Sequence, residues 1–381
     1  MTRALVLGGY GASGRILSEL LLQDPQFNVT IAGRDLQRAE RLAALLSVRH
    51  GGRVSARAVD AARMESVGPA AEAADLVVVA STTAVHTQTV ARAALRAGAD
   101  YYDILYSPAK LGVLRTMAED IRREGCRFIS DGGFHPGLPA VLVRQAAAHF
   151  DELHTAVVGS VIQQDWRSAE PSLDTVGELL DMIVESDAAL FEQGRWRRPG
   201  MRDAMLRRRM RFGAPLGARA CYAMALEELL PLPTLIPSLR STGFFVGGFN
   251  PMVDWGVIPL AVLGRRFAPQ RSRNWLGRLL AAGLRRGSHP PYRTVLKLEA
   301  TGVSAGRAHA GELEVAHADG YYLTAACAAA CIAQLVDGTI HEPGVWLQGL
   351  AVVPGRMLAD LRAYGVEVTE NWQAAAGAGI E

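Results

Sequence analysis

The sequence predicts a two-domain α/β chain in which an N-terminal doubly wound parallel sheet is completed by the C-terminal segment, with an α+β domain inserted between. Three observations predict it. A glycine-rich turn joins an apolar run to a helical pattern at the start of the chain. Short apolar runs then alternate with helical periods to about residue 150, and beyond residue 151 the periodicity changes to that of alternating strands. The length of 381 residues agrees, because a single hydrophobic core stops growing well below that size. The expected division is 1–150 joined by about 340–381, with 151–339 as the inserted domain.

The first elements read strand, turn, helix: Ala4 to Leu7, then Gly8 to Arg15, then Ile16 to Leu22. Within the turn Gly9, Gly11 and Gly14 fit GxGxxG. The first glycine permits the bend, the second lets a phosphate approach the backbone, and the third lets helix pack on strand. Tyr10, Ala12, Ser13 and Arg15 complete a cradle for a pyrophosphate at the helix N-terminus, where free N–H groups and the helix dipole favour an anion. This is the dinucleotide-binding turn of a Rossmann domain.

The second strand, Val29 to Ala32, ends at Gly33-Arg34-Asp35, where such a domain reads the adenosine ribose. A carboxylate first in line would hydrogen-bond the 2′-hydroxyl of NAD; Arg34 instead offers paired donors to a 2′-phosphate, so the cofactor expected is NADP, with Arg38 as a helper. Asp35 reads as the cap of the next helix. Alternation continues with strand 54–59, helix 61–74, strand 76–80 and helix 85–97. Ligands lie beyond the carboxyl ends of such strands, which singles out Asp60 and the run Ala80, Ser81, Thr82, Thr83 for the cofactor. His86 follows, either as a packing residue or as an acid.

Composition narrows the functions further. The formal charge is +2 and no basic stripe interleaves with aromatics, so nucleic acid is not expected as a partner. Lys110 and Lys297 are the two lysines, a skew toward arginine that points to a high-GC bacterial gene and sets lysine chemistry aside. Cys126, Cys221, Cys327 and Cys331 form no CxxC pair and are expected as buried thiols. The nine histidines are scattered, and no metal site is expected. Met1-Thr-Arg leads directly into a strand, so a cytoplasmic protein is expected. The apolar stretch 244–263 is broken by Asn250, Pro251, Asp254 and Pro259, which argues against an integral membrane segment and leaves a lipid-facing loop open.

The stretch after the fourth helix reads Tyr101-Tyr-Asp103, Tyr106-Ser107-Pro108, a helix to Glu124, a strand 126–130, and Asp131-Gly-Gly-Phe-His135-Pro136-Gly137-Leu138. With these residues, the N-terminal GxGxxG and Arg34, the chain resembles the saccharopine dehydrogenase (reductase) superfamily, well over the first 150 residues and more loosely over the last 60. Tyr321 to Val336 and Pro343-Gly344-Val345 resemble that family's small-residue helix and following turn. The resemblance implies an NADP(H)-dependent oxidoreductase in which Tyr106 and His135 face the substrate. Where several members carry aspartate before the Pro-Gly turn, this chain has His135, so the chemical role does not carry over automatically. His135 is either a proton donor near neutral pH or a cap for a helix beginning at Pro136. Asp103 either orients a catalytic partner, binds ribose, or caps the helix after Pro108.

In the inserted domain strands are expected at 154–162, 221–225, 292–301 and 309–317, the last two as an antiparallel pair turning near Ser304-Ala-Gly306, with a helix at Leu173 to Val184. This sheet is expected to form a substrate floor and a homodimer contact. The arginine-rich stretch 195–212, with Arg202, Arg207, Arg208, Arg209 and Arg211, is either a solvated face or a clamp for an anion. The apolar segments 230–237 and 244–249 are either core or the mouth of a site for an apolar small-molecule substrate. A helix at Leu358 to Tyr364 and a strand at Val366 to Val368 are expected to return to the first domain. Three readings stay open: hydride transfer at a C=N or C–N carbon, reduction of a C=C bond in an apolar lipid- or polyketide-like substrate, and a non-catalytic NADP(H)-binding scaffold.

Overall fold

Six short strands alternate with helices from the N-terminus: β1 Thr2–Leu7, α1 Ala12–Gln23, β2 Phe27–Gly33, α2 Leu36–His50, β3 Val54–Ala58, α3 Met64–Ala71, β4 Leu76–Val79, α4 Thr87–Arg96, β5 Asp100–Asp103, α5 Pro108–Thr116, α6 Ala118–Arg123 and β6 Arg127–Ser130. All pair in parallel in the order β3-β2-β1-β4-β5-β6, and a seventh strand, Gly344–Leu347, adds beside β6. Strand order reverses between β1 and β4, and that is where such sheets open a crevice for a ligand. The four residues of β4, Leu-Val-Val-Val, are all buried, as befits a strand covered on both faces. Each such side chain contributes about 1.5–3 kcal/mol. The helix Gly320–Val336 carries no charge and buries most of its alanine-rich length. A helix apolar all round belongs inside a fold, and this one lies in the first unit.

The computed structural model describes residues 1–168, 176, 177, 180, 188–198, 207–250, 252–267 and 269–374. The chain divides into Met1–Leu138 with Tyr321–Asp360, and Pro139–Gly320 with Leu361–Glu381. The doubly wound sheet completed from the C-terminal side and the separate inserted sheet are therefore both present, but the divisions differ from the expected 150 and 340. The helix α7, Pro139–Ala147, belongs with the second sheet. So does the final strand, Glu367–Ala374, which pairs antiparallel with a strand of that sheet rather than returning to the first. Gln145 Nε2 donates to Glu370 Oε2 at 3.4 Å and His149 stacks on Trp372 at 4.5 Å, contacts that hold both termini of this unit together.

The second sheet contains β7 Glu152–Gln163, β8 Leu190–Glu192, β9 Arg195–Arg197, β10 Arg207–Arg211, β11 Ala218–Met224, β12 Ser241–Gly247, β13 Arg293–Ser304 and β14 Arg307–His317. Its order is β10-β11-β12-β7-β13-β14 and then the final strand. Only β12 and β7 run parallel along that path. The expected hairpin is β13–β14: Ser304 pairs with Arg307, and Ala305 and Gly306 take φ of 50° and 70°, the two positive angles that a two-residue type I′ turn requires. Phe244 and Phe245 are 0% and 7% exposed on β12, which makes 244–247 core rather than a mouth. In the arginine-rich stretch, β10 is an edge strand with Met210 buried and Arg208 Nη2 bound to Glu299 at 3.0 Å. Most of the helix expected at Leu173 to Val184, and Arg202, lie outside the described residues. Among the described residues no helix is long and apolar enough to cross a membrane.

Candidate active site

The glycine turn is closed by backbone contacts that leave no room for side chains. A Cβ on Gly14 would stand 2.2 Å from the Gly8 carbonyl oxygen, and one on Gly11 would stand 3.1 Å from the same atom. Gly8, at φ +81°, lies so close to the end of β4 that a Cβ there would meet the Ala80 oxygen at 2.6 Å and Ser81 Cβ at 2.6 Å. The turn after β1 and the residues after β4 therefore form one surface. Gly11 caps α1 without a side-chain acceptor, and the first turn holds no acid. Among the described residues, the amides of Ala12, Ser13 and Gly14 donate to no protein acceptor, leaving them available to an anion.

Tyr10 connects this turn to the end of β2. Its ring lies on Gly33, where a Cβ would come within 2.5 Å, and its hydroxyl accepts from the Asp35 amide at 3.1 Å. The Arg38 guanidinium carbon sits 4.8 Å from the Tyr10 ring centroid, a cation–π placement that holds it beside Arg34 in the sequence of the loop and helix. The Asp35 carboxylate is used as expected, accepting from the Arg38 amide at 3.0 Å as the cap of α2. It is thus directed at the helix amides, while Arg34 is exposed and forms no ion pair among the described residues. These features fit an NADP 2′-phosphate: two guanidinium groups and no competing carboxylate in the first position. Arg15 and Thr82 are exposed nearby in the sequence of the same two turns, and Ser81 Oγ lies 3.0 Å from Thr83 Oγ1. Asp60 is less available, since its carboxylate accepts from the Ala62 amide at 3.1 Å within its own turn.

Asp103 does not cap the next helix; Ser107 does, its hydroxyl accepting from the Lys110 amide at 3.3 Å. Asp103 is 0% exposed and pairs with Lys110, whose ammonium also reaches the Leu105 carbonyl and stands 3.1 Å from Asp131 Oδ1. Lysine chemistry had been set aside, yet one of the two lysines is buried at the carboxyl end of the sheet between two carboxylates. Burial by itself would push the Lys110 ammonium down, but Asp103 and Asp131 together outweigh it and raise it above its ordinary value. Burial pushes the Asp131 carboxyl up, and Lys110 offsets this only in part. Ser130 Oγ lies 3.4 Å from both Asp103 Oδ2 and Asp131 Oδ1, completing a network that joins the ends of β5 and β6.

The turn that carries His135 is clamped from the C-terminal segment. Gln348 Nε2 donates to the Gly133 oxygen at 2.8 Å, its Oε1 accepts from the Gly133 amide at 3.2 Å, and the Tyr102 hydroxyl donates to the same Oε1 at 2.5 Å. Lys110, Gln348 and Tyr102 were all missed by sequence reasoning. A signal for Lys110 did exist: it occupies the first turn of α5, where a cation opposes the helix dipole and so calls for anionic partners.

His135 lies in the turn after β6, with its ring centroid 4.5 Å from that of Phe134. The helix expected from Pro136 begins three residues later at Pro139, so His135 does not take the position immediately before it. It keeps a partly accessible edge, yet burial pushes its imidazole down to about 4. At neutral pH the ring is therefore uncharged, with one N–H to donate. Because the folded pKa lies below the unfolded value of about 6.5, the unfolded chain binds more protons between the two. The stability from this group is complete above the unfolded value and is lost as pH falls through the folded one. Unfolding free energy measured in urea should decline across this window, and His135→Gln should flatten part of the decline; parallel profiles for the two proteins would contradict it. Tyr106 is half-buried in the loop between β5 and α5. Among the described residues no three His, Cys, Asp or Glu side chains gather as a metal site, and all four cysteines are buried thiols.

Residues 4–126 match the family described as the saccharopine dehydrogenase NADP binding domain. The fold is that of the apo, histidine-tagged saccharopine dehydrogenase (L-Glu forming) from Saccharomyces cerevisiae, with a TM-score of 0.72 at 16% identity over 98% of this chain and 100% of that one. A more distant likeness is to C. glutamicum DAP dehydrogenase in complex with DAP, with a TM-score of 0.47 at 14% identity over 95% of this chain and 98% of that one. No curated protein matches the chain in sequence.

Proposed function

Starting from a chain that has a saccharopine dehydrogenase-like fold and an NADP(H)-binding domain of that type, we propose an NADP(H)-dependent oxidoreductase that transfers hydride at a C=N or C–N carbon of a small-molecule substrate. The observation that carries the reading is the fused surface of the glycine turn and the Ala80–Ser81 backbone at the strand-order reversal, which matches what a dinucleotide needs. The amides of Ala12, Ser13 and Gly14 receive the pyrophosphate past Gly9 and Gly11, Arg34 and Arg38 take the 2′-phosphate, and Ala80, Ser81 and Thr82 flank the nicotinamide half. Bound NADP(H) supplies or accepts the hydride at the substrate carbon.

Imine reduction also needs one proton at nitrogen, and amine oxidation releases one. Tyr106 and His135 follow β5 and β6 at the carboxyl edge of the sheet; the Tyr106 phenol can donate the proton that reduction needs, and the uncharged His135 imidazole can accept the one that oxidation releases. Asp103 has a positioning role in this reading, because its carboxylate is committed to Lys110 and out of reach of solvent. The relative of known fold is by name a saccharopine dehydrogenase, which supports carbon–nitrogen chemistry here.

Consumption of NADPH in the presence of a panel of imines and a matched panel of enones tests the reading. Turnover of an imine is expected, with a loss of about 10²–10⁴-fold in Tyr106→Phe, the usual contribution of a positioned acid. Turnover of enones alone would move the assignment to C=C reduction. Binding of NADPH with neither panel consumed would favour a scaffold.

A further inference from the structure

The second unit carries a pair of helices that keeps several large apolar side chains exposed on its outer side. A short π-helical turn, Val253–Val257, runs into the helix Ile258–Phe267, which packs with the helix Pro269–Arg286. Their inner faces form a separate core in which Val253, Val257 and Ala261 meet Leu276, Leu280 and Leu284. The outward stripe of the first helix ought then to be polar. It consists instead of Met252, Gly256, Pro259, Leu260 and Leu263, at helical spacing and without one polar side chain; the three largest are 43%, 40% and 55% exposed. On the second helix Trp275 and Leu279 are 46% and 37% exposed, one turn apart. A helix with apolar residues on both faces has a second apolar or interfacial surface to meet.

The charges around this stripe identify what that surface is. From Ile258 to Arg286 the sequence has seven arginines and no aspartate or glutamate. Arg278, Arg285 and Arg286 are exposed, and none forms an ion pair among the described residues. A second copy docked through a two-fold axis would set this patch against itself, bringing cations together with no carboxylate of these helices to pair with them. An array of lipid phosphates above an apolar layer complements both properties at once.

We propose that the described helices within 252–267 and 269–286 form a peripheral docking surface for an anionic lipid bilayer, with Leu260, Leu263 and Trp275 entering the boundary between headgroups and acyl chains and Arg278, Arg285 and Arg286 meeting lipid phosphates. The contact lies on the surface of the bilayer, since no described helix is long and apolar enough to cross it.

Co-sedimentation of the full chain with vesicles tests this. Vesicles of phosphatidylcholine mixed with phosphatidylglycerol should bind the protein, vesicles of phosphatidylcholine alone should bind it weakly, and added salt should weaken the first. The double variant Leu260→Glu/Leu263→Glu should lose binding to the mixed vesicles at least tenfold while keeping the far-ultraviolet dichroism and thermal midpoint of the parent. Arg285→Ser/Arg286→Ser, which leaves the inner core untouched, should lower the affinity about thirtyfold, as expected for two arginines near an anionic surface. Absence of binding to the mixed vesicles, or equal binding by the parent and the arginine variant, would overturn the proposal. If no vesicles bind and the leucine variant converts a dimer to a monomer, the face belongs to a second copy of the chain.

Discussion

Lys110→Met is expected to destabilise the first unit by about 3–5 kcal/mol, the usual cost of removing one partner from a buried charge pair. An exposed pair such as Arg49 with Glu19 lies at the other extreme and contributes at most about 1 kcal/mol. The difference arises from what is left behind. Side-chain exposures of 1% for Lys110, 0% for Asp103 and 5% for Asp131 leave water no way to replace the ammonium. Two carboxylates would face each other at the ends of β5 and β6, and the Asp131 carboxyl, which burial already pushes up, would lose the cation that holds it down. A raised folded pKa gives stability that is present at low pH and lost as pH rises through it, so the deficit should be larger at pH 7 than near the ordinary carboxylate range. Urea unfolding of parent and variant at two pH values measures both effects. Adding Asp131→Asn to Lys110→Met should restore part of the loss, because asparagine tolerates the φ of 54° at that position and removes one charge. A variant as stable as the parent would show that the buried network contributes little to folding.

Arg34→Ala is expected to weaken NADPH binding by about 1–3 kcal/mol while leaving NADH binding little changed, because a charge-assisted contact to a phosphate is lost and only NADPH has that phosphate. Arg34 suits the role through what surrounds it. Asp35 directs its carboxylate at the Arg38 amide, and Tyr10 holds the Arg38 guanidinium over its ring, so two cations and no free acid follow β2. Arg34→Glu should go further and invert the preference, since a carboxylate repels the phosphate and accepts from a ribose hydroxyl. Equal losses for both nucleotides in Arg34→Ala would mean that the arginine supports the loop and does not read the phosphate.

How far the sequence revealed these arrangements depends on the range of the forces involved. The glycine turn, the cap at Asp35 and the hairpin turn at Ala305-Gly306 were legible because each is fixed by residues close together in the chain: a missing Cβ, a short acceptor, two positive φ angles. The parallel sheet was legible from alternation alone. Lys110 was not, because its role arises from meeting both Asp103 at the end of β5 and Asp131 just past the end of β6, and a count of lysines says nothing of such meetings. Gln348 was harder still, reaching Tyr102 and Gly133 from the far end of the chain. The final strand was expected to return to the first domain on chain order and on the family resemblance. Pairing along β14 from Ala316 to His309 decides the matter instead, and nothing in the eight residues Glu367–Ala374 by themselves specifies which edge they join.

The central claim is that the turn after β1 and the arginines after β2 hold NADP(H), and calorimetric titration of the full chain with NADPH and with NADH tests it most directly. Saturable binding of NADPH, with NADH weaker by at least tenfold, is the predicted result. Equal affinity for the two would contradict the role given to Arg34, and failure of both to bind would contradict the cofactor site itself.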